Sequence, residues 1–96
     1  MKFLIAIEPG DEQHAFGVVV PDLPGCFSAG DTLAEALANA REAIELHVST
    51  LLEDELRLPA PQAPGVHQAH PDYLGWTWDV VDVPVEHYLA RSPFEV

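Results

Sequence analysis

Residues Ala15 to Leu37, "AFGVVVPDLPGCFSAGDTLAEAL", hold most of the architectural information in this chain. The run Ala15 to Val20 is continuously apolar with three successive valines, which reads as a strand that is central in its sheet or covered on both faces. Pro21 and Pro24 withdraw backbone donors, Asp22 can bond its own turn, and Gly25 permits positive φ, so "PDLPG" closes a tight connection. "CFSAG" then makes a short third strand. In "DTLAEAL" the Thr32 hydroxyl is placed to accept from the Glu35 N–H while the Glu35 carboxylate reaches back to the Thr32 N–H, a reciprocal helix start.

Working outward, Leu33, Leu37, Ala40, Ile44, Val48 and Leu51 recur at steps of three and four and predict a helix to about Leu52 with one apolar stripe on the sheet. Glu35, Asn39, Glu42, Glu45 and Ser49 fall largely off that stripe. Upstream, "MKFLIAIE" alternates with Phe3, Ile5 and Ile7 on one side, a half-buried strand, and "PGDEQH" turns the chain into the valine run. Downstream, the prolines of "LPAPQAPG" predict an extended surface linker, with a brief helical turn between Val66 and Tyr73. "WTWDVVDV" is rich in aromatic and β-branched residues and predicts a fourth strand, joined by a crossover because a long helix precedes it. "VEHYLA" is read as one last helical turn. The expected class is α+β: a three-stranded antiparallel meander, one long helix and a fourth strand by crossover, in one domain over residues 1–90 with 91–96 as a tail.

Sixteen acidic residues against four Lys and Arg give a net charge of −12. Such a body repels phosphate and attracts basic partners, although acidity also serves solubility alone. There is no apolar run long enough to cross a bilayer and no secretory signal in "MKFLIAIEPGDEQ", so a cytoplasmic location is expected. The single cysteine, Cys26, reads as a small buried residue.

The order β, β, β, α, β matches the first part of the ribonuclease H topology, which raises the question of nuclease chemistry. Two-metal hydrolysis requires carboxylates converging on a cleft. The first strand carries Leu4, Ile5 and Ala6 where a central acid is required, and Glu35, Glu42 and Glu45 project to solvent. His67 and His70 have ligand-like spacing but supply only half a structural zinc site, so they are read as a solvated linker pair, with His47 on the helix flank. Ser28 lacks a base, Cys26 lacks a cationic neighbour, and Asp31 is explained by the favourable field at a helix start. Trp76 and Trp78, on one strand face, suit core packing or a protein interface better than base stacking beside so much negative charge. No catalytic, metal-binding or cofactor-binding residue is expected.

The residues "FGVVVPDLPGCFSAGDTLAEALANAREAIELHV", followed by a loop and "PDYLGWTWDVVDVPVEHYLA", resemble the HicB antitoxins over Met1 to about Leu89. The resemblance implies a partial ribonuclease H-like fold without nuclease activity. It also implies binding to a small basic HicA-like toxin, an mRNA-cleaving ribonuclease whose catalytic histidine is covered, in agreement with the charge. Antitoxins of this kind usually add a C-terminal DNA-binding segment that binds the operon's own promoter and drives oligomerisation. Phe94 to Val96 are the candidate start of such a segment, and promoter DNA is a partner only where the segment exists. A homodimer or higher homo-oligomer is expected, through an exposed strand or the fourth-strand aromatics. The candidate partner-binding residues are Asp22, Leu23, Phe27, Glu35, Glu42, Glu45, Trp76 and Trp78. The alternative is an adaptor of the same fold that binds a protein or small molecule and has no toxin partner.

Overall fold

The computed structural model describes residues 1–54 and 62–84. Strands β1 (Lys2–Glu8), β2 (Phe16–Val19) and β3 (Phe27–Gly30) form the expected meander, and helix α1 (Leu33–Glu53) crosses it. A short helix α2 (Pro64–Gln68) and a 3-10 turn (Pro71–Tyr73) precede β4 (Thr77–Asp82). The sheet order is β3-β2-β1-β4, with every neighbouring pair antiparallel. The chain therefore passes from one sheet edge to the other between β3 and β4. Because β4 lies antiparallel to β1, the handedness rule for parallel crossovers does not apply. The final helical turn expected in "VEHYLA" and the tail 91–96 lie outside the described residues.

Local chemistry accounts for the connections. Between β1 and β2 the Asp11 carboxylate accepts from the N–H groups of Gln13 and His14, at 2.7 and 2.8 Å, an Asx-type turn. Between β2 and β3 two backbone turns follow one another, Leu23 N–H to Val20 O and Cys26 N–H to Leu23 O, with Gly25 at φ +85°. Thr32 caps α1 by accepting from Glu35 N–H at 3.1 Å. The return bond from the Glu35 carboxylate is not formed among the described residues, so the cap is one-armed.

The core lies between α1 and one sheet face, where Phe3, Ile5, Val18, Val20, Ala36, Ala40, Ile44, Val48 and Val83 are almost wholly enclosed. The valine run divides as its central position requires: Val18 and Val20 point to the helix and Val19 to the other face. A fully buried side chain such as Ile44 contributes about 1.5 to 3 kcal/mol from burial alone. Small residues set the spacing at β3, where Gly30 meets the backbone of Glu35 and Ala36 and the Ser28 hydroxyl donates to Ala36 O at 3.1 Å. That bond gives the Ser28 hydroxyl a structural role.

Candidate docking surface

Three features mark the surface: a groove beside β3, an open sheet face, and a set of acids on one flank of α1. The phase of β3 follows from the bond of Val20 N–H to Cys26 O. Alternation then turns the backbone groups of Phe27 and Ala29 outward, to the free edge. The Asn39 amide occupies one of them, donating to Ala29 O at 2.8 Å. Beyond this edge a groove of about 380 Å³ is lined by Gly25, Cys26 and Phe27 on one side and by Ala43, Leu46, His47 and Thr50 of α1 on the other. Leu46 is 70% exposed on the helix side of its rim, and Phe27, equally exposed, contributes to the β3 side while its side chain turns to the sheet face away from α1.

At 3.6 residues per turn, Glu35, Asn39, Glu42, Leu46, Thr50 and Glu53 fall on one stripe spanning about 80° of the helix. Asn39 anchors the edge of that stripe over β3, while Glu35, Glu42 and Glu53 lie towards the outer face of the helix and the acid that lines the groove is Asp54. Glu45 does not belong to the stripe. It lies about 60° further round, one turn after Arg41, which separates it from the other two candidate acids.

The sheet face turned away from α1 is also apolar. Register places Trp78, Ala6, Val19 and Phe27 in a row across all four strands, with Leu4 beside Val80, itself 50% exposed. Trp76 sits just before β4, and Trp78 lies within it. Both are half-buried, and Tyr73 packs edge-on against them at centroid distances of 5.2 and 5.4 Å. The two tryptophans thus belong to an aromatic cluster with Tyr73 rather than to a stacking platform.

Two candidate residues are corrected by burial. Leu23 is fully enclosed in the core and Asp22 is buried, so neither presents a side chain to a partner. Asp22 Oδ1 instead accepts from Gln62 N–H at 3.2 Å and lies 2.8 Å from His67 Nε2, the two side chains being only 6% and 13% exposed. His67 is therefore not a solvated linker residue. It pins the segment after the proline linker to the β2–β3 turn, while His70 stays exposed and accepts from Asp72 N–H. No group of metal-ligating side chains occurs among the described residues.

Burial pushes the Cys26 thiol above its ordinary range. Its protonated form is favoured on folding, so this contribution is present at and below the ordinary thiol range and is lost as pH rises beyond it. Alkylation of Cys26 is expected to be at least about tenfold slower in the native protein than in urea. Equal rates in a maleimide time course would contradict the enclosed position. The Gln13 N–H first, and then the His14 ring, hold the exposed Asp11 carboxyl below the usual aspartate range.

Leu46 was legible as a signal: it is an apolar residue two positions from Ile44, off the buried stripe. His67 and Asp22 are 45 residues apart, and nothing local couples them. Among the described residues no helix is long and apolar enough to cross a membrane.

An antiparallel sheet is backed by one helix, and the Ser28 hydroxyl, the Cys26 thiol and the His67 imidazole all serve structure. The model of the HicB_like antitoxin of bacterial toxin-antitoxin system matches residues 3–93. The chain belongs to this family, which is one of antitoxins and not of enzymes. It is 41% identical over 92 residues to an uncharacterized 14.9 kDa protein of the rep-hol intergenic region of Haemophilus phage HP1, covering 96% of this chain and 68% of the relative. The Burkholderia pseudomallei antitoxin HicB matches with a TM-score of 0.75 at 39% identity, over 86% of this chain and 63% of that one. A chain of a HicA3 and HicB3 toxin-antitoxin complex matches with a TM-score of 0.69 at 32% identity, over 85% and 96%.

Proposed function

We propose that this antitoxin-family chain neutralises a small basic ribonuclease of the HicA type by lying over its RNA-cleaving surface. The observation that carries the reading is the charge of −12 on a domain that resembles a chain of a toxin-antitoxin complex. Such a body attracts a cationic enzyme and, once seated, replaces the RNA phosphates that the enzyme would otherwise bind. The action is steric and electrostatic, with no bond broken by the antitoxin. Its place is the cytoplasm, where mRNA is available.

Where a C-terminal DNA-binding segment is joined to this domain, operator binding and control of the operon belong to that segment, because the acidic domain repels the phosphate backbone. Contact between copies is assigned to β4 and its aromatic neighbours.

The test is co-expression with the small basic protein encoded beside it, followed by size-exclusion chromatography at low and high salt. One complex is expected at low salt, weakening as salt rises, with RNA cleavage by the basic protein suppressed in the complex. Failure to associate at either salt concentration would sink the antitoxin reading and favour an adaptor role.

A further inference from the structure

We infer that the sheet face turned away from α1 packs on the same face of a second copy of this chain, with the strands of the two copies antiparallel, so that Lys2 meets the partner's Glu8. The inference refines the contact between copies assigned to β4 and does not depend on the toxin. Register sends Phe27, Val19, Ala6 and Trp78 to this face in one row, with Leu4 and Val80 in the next. Phe27 on β3 is 70% exposed and Val80 on β4 is 50% exposed, so large apolar side chains stand in water at both edges of the sheet.

Charge selects both the occupant and its orientation. Of the sixteen acids in the chain, only Glu8 and Asp82 project from the strands on this side, and the Met1 ammonium lies 3.3 Å from the Asp82 carboxylate. A second body of charge −12 therefore approaches this face against little local repulsion, while a basic partner finds little here to bind. Lys2 and Glu8 stand at opposite ends of β1, about 20 Å apart, and the Glu8 carboxylate lies beside Gly17 on the same face. A twofold axis along the strands would set Lys2 against the partner's Lys2. An axis across them sets Lys2 against the partner's Glu8 at two symmetric places, with β1 antiparallel over its counterpart.

Pairing edge to edge along β4 is the competing arrangement. Met1 and Val83 exchange backbone bonds, so alternation turns the backbone groups of Trp78, Val80 and Asp82 to the free edge. In the middle of that row the Asp79 carboxylate accepts from the Val80 N–H at 2.8 Å. A second β4 would bring an identical carboxylate to the same edge, which leaves the face as the surface of contact. Four strands about 4.8 Å apart, with β1 rising about 3.3 Å per residue, make a face of about 20 by 20 Å. Two such faces bury on the order of 1,000 Å², the lower bound for a specific interface, so a reversible dimer with a Kd of about 10 to 100 μM is expected.

The test is sedimentation equilibrium of the intact chain alone, with folding checked by circular dichroism. The dimer is expected to tighten about threefold or more as salt rises, because screening relieves the repulsion of two bodies of charge −12, the reverse of the toxin complex. Phe27→Asp and Val80→Asp are each expected to weaken it at least about tenfold, and Leu46→Asp, on α1, to stay within about threefold of the unmodified chain. Glu8→Lys alone is expected to weaken it about fivefold although it lowers the net charge, and adding Lys2→Glu to restore it. Within one chain the two side chains are too far apart for such a rescue. Asp79→Ala, which frees the β4 edge, is expected to leave the dimer within about threefold. A monomer at concentrations up to about 1 mM, an undiminished dimer in Phe27→Asp and Val80→Asp, no recovery in the double exchange, or a tighter dimer in Asp79→Ala each overturns the inference. None of these outcomes touches the antitoxin reading, which is measured with the basic protein present.

Discussion

Gly30→Ala is expected to destabilise the domain by about 3 kcal/mol or more, a large loss for the addition of one methyl group. A β-carbon at Gly30 would collide with the Ala36 nitrogen and lie 2.8 Å from the Glu35 carbonyl carbon and 2.9 Å from Ala36 Cα. All three are backbone atoms in the first turn of α1, so no side chain can swing aside to make room. The helix would have to lift away from β3, stretching the Ser28 hydroxyl bond to Ala36 O and opening the contact made by Ala36 and Ala40. Gly25→Ala is the informative companion. Its φ of +85° imposes a backbone cost of about 1 to 2 kcal/mol, but nothing lies within 4 Å of the new methyl. Urea unfolding of both variants separates collision from strain. If Gly30→Ala cost no more than Gly25→Ala, the close approach of α1 to β3 would be wrong.

Removal of His67 is expected to cost about 2 to 3 kcal/mol locally, because the buried Asp22 carboxylate would keep only the 3.2 Å bond from Gln62 N–H. The effect should be concentrated after the proline linker. Helix α2 contributes no buried side chain, so its attachment depends heavily on this one contact. In His67→Ala, amide exchange of Ala69, whose N–H bonds Gly65 O, should rise sharply, while that of Val18 in the central strand changes little. Asp22→Asn keeps a hydrogen-bonding oxygen beside His67 and should lose less. A uniform rise in exchange across the sheet after His67→Ala would show that the pair supports the whole core and not one segment.

These expectations also indicate which parts of the molecule were legible before the structure. The meander, the cap at Thr32 and the extent of α1 followed from residues that act on their immediate neighbours: prolines that remove donors, a glycine at positive φ, a hydroxyl three residues from an amide. The placement of β4 could not follow in the same way. Its composition marks it as a strand, but its pairing with β1 depends on contacts across most of the chain, such as Lys2 with Asp82. Asp22 illustrates the same limit at the site. In "PDLPG" it reads equally well as a turn former or an exposed contact, and only its meeting with His67 shows that it is inside. Leu23 was misjudged because the turn folds back under the helix. The acids of α1 were half legible: helical spacing identified them as solvent-facing, but grouping Glu45 with Glu35 and Glu42 ignored the angle between them.

The amide of Asn39 has one more consequence. Short strands with an open row of donors and acceptors are templates on which identical chains can stack into cross-β fibres. By occupying Ala29 O, Asn39 removes one acceptor from the middle of the open row on β3 and sets a side chain in the path of a neighbouring strand. One side-chain amide thus helps to protect this end of the sheet from stacking with identical chains.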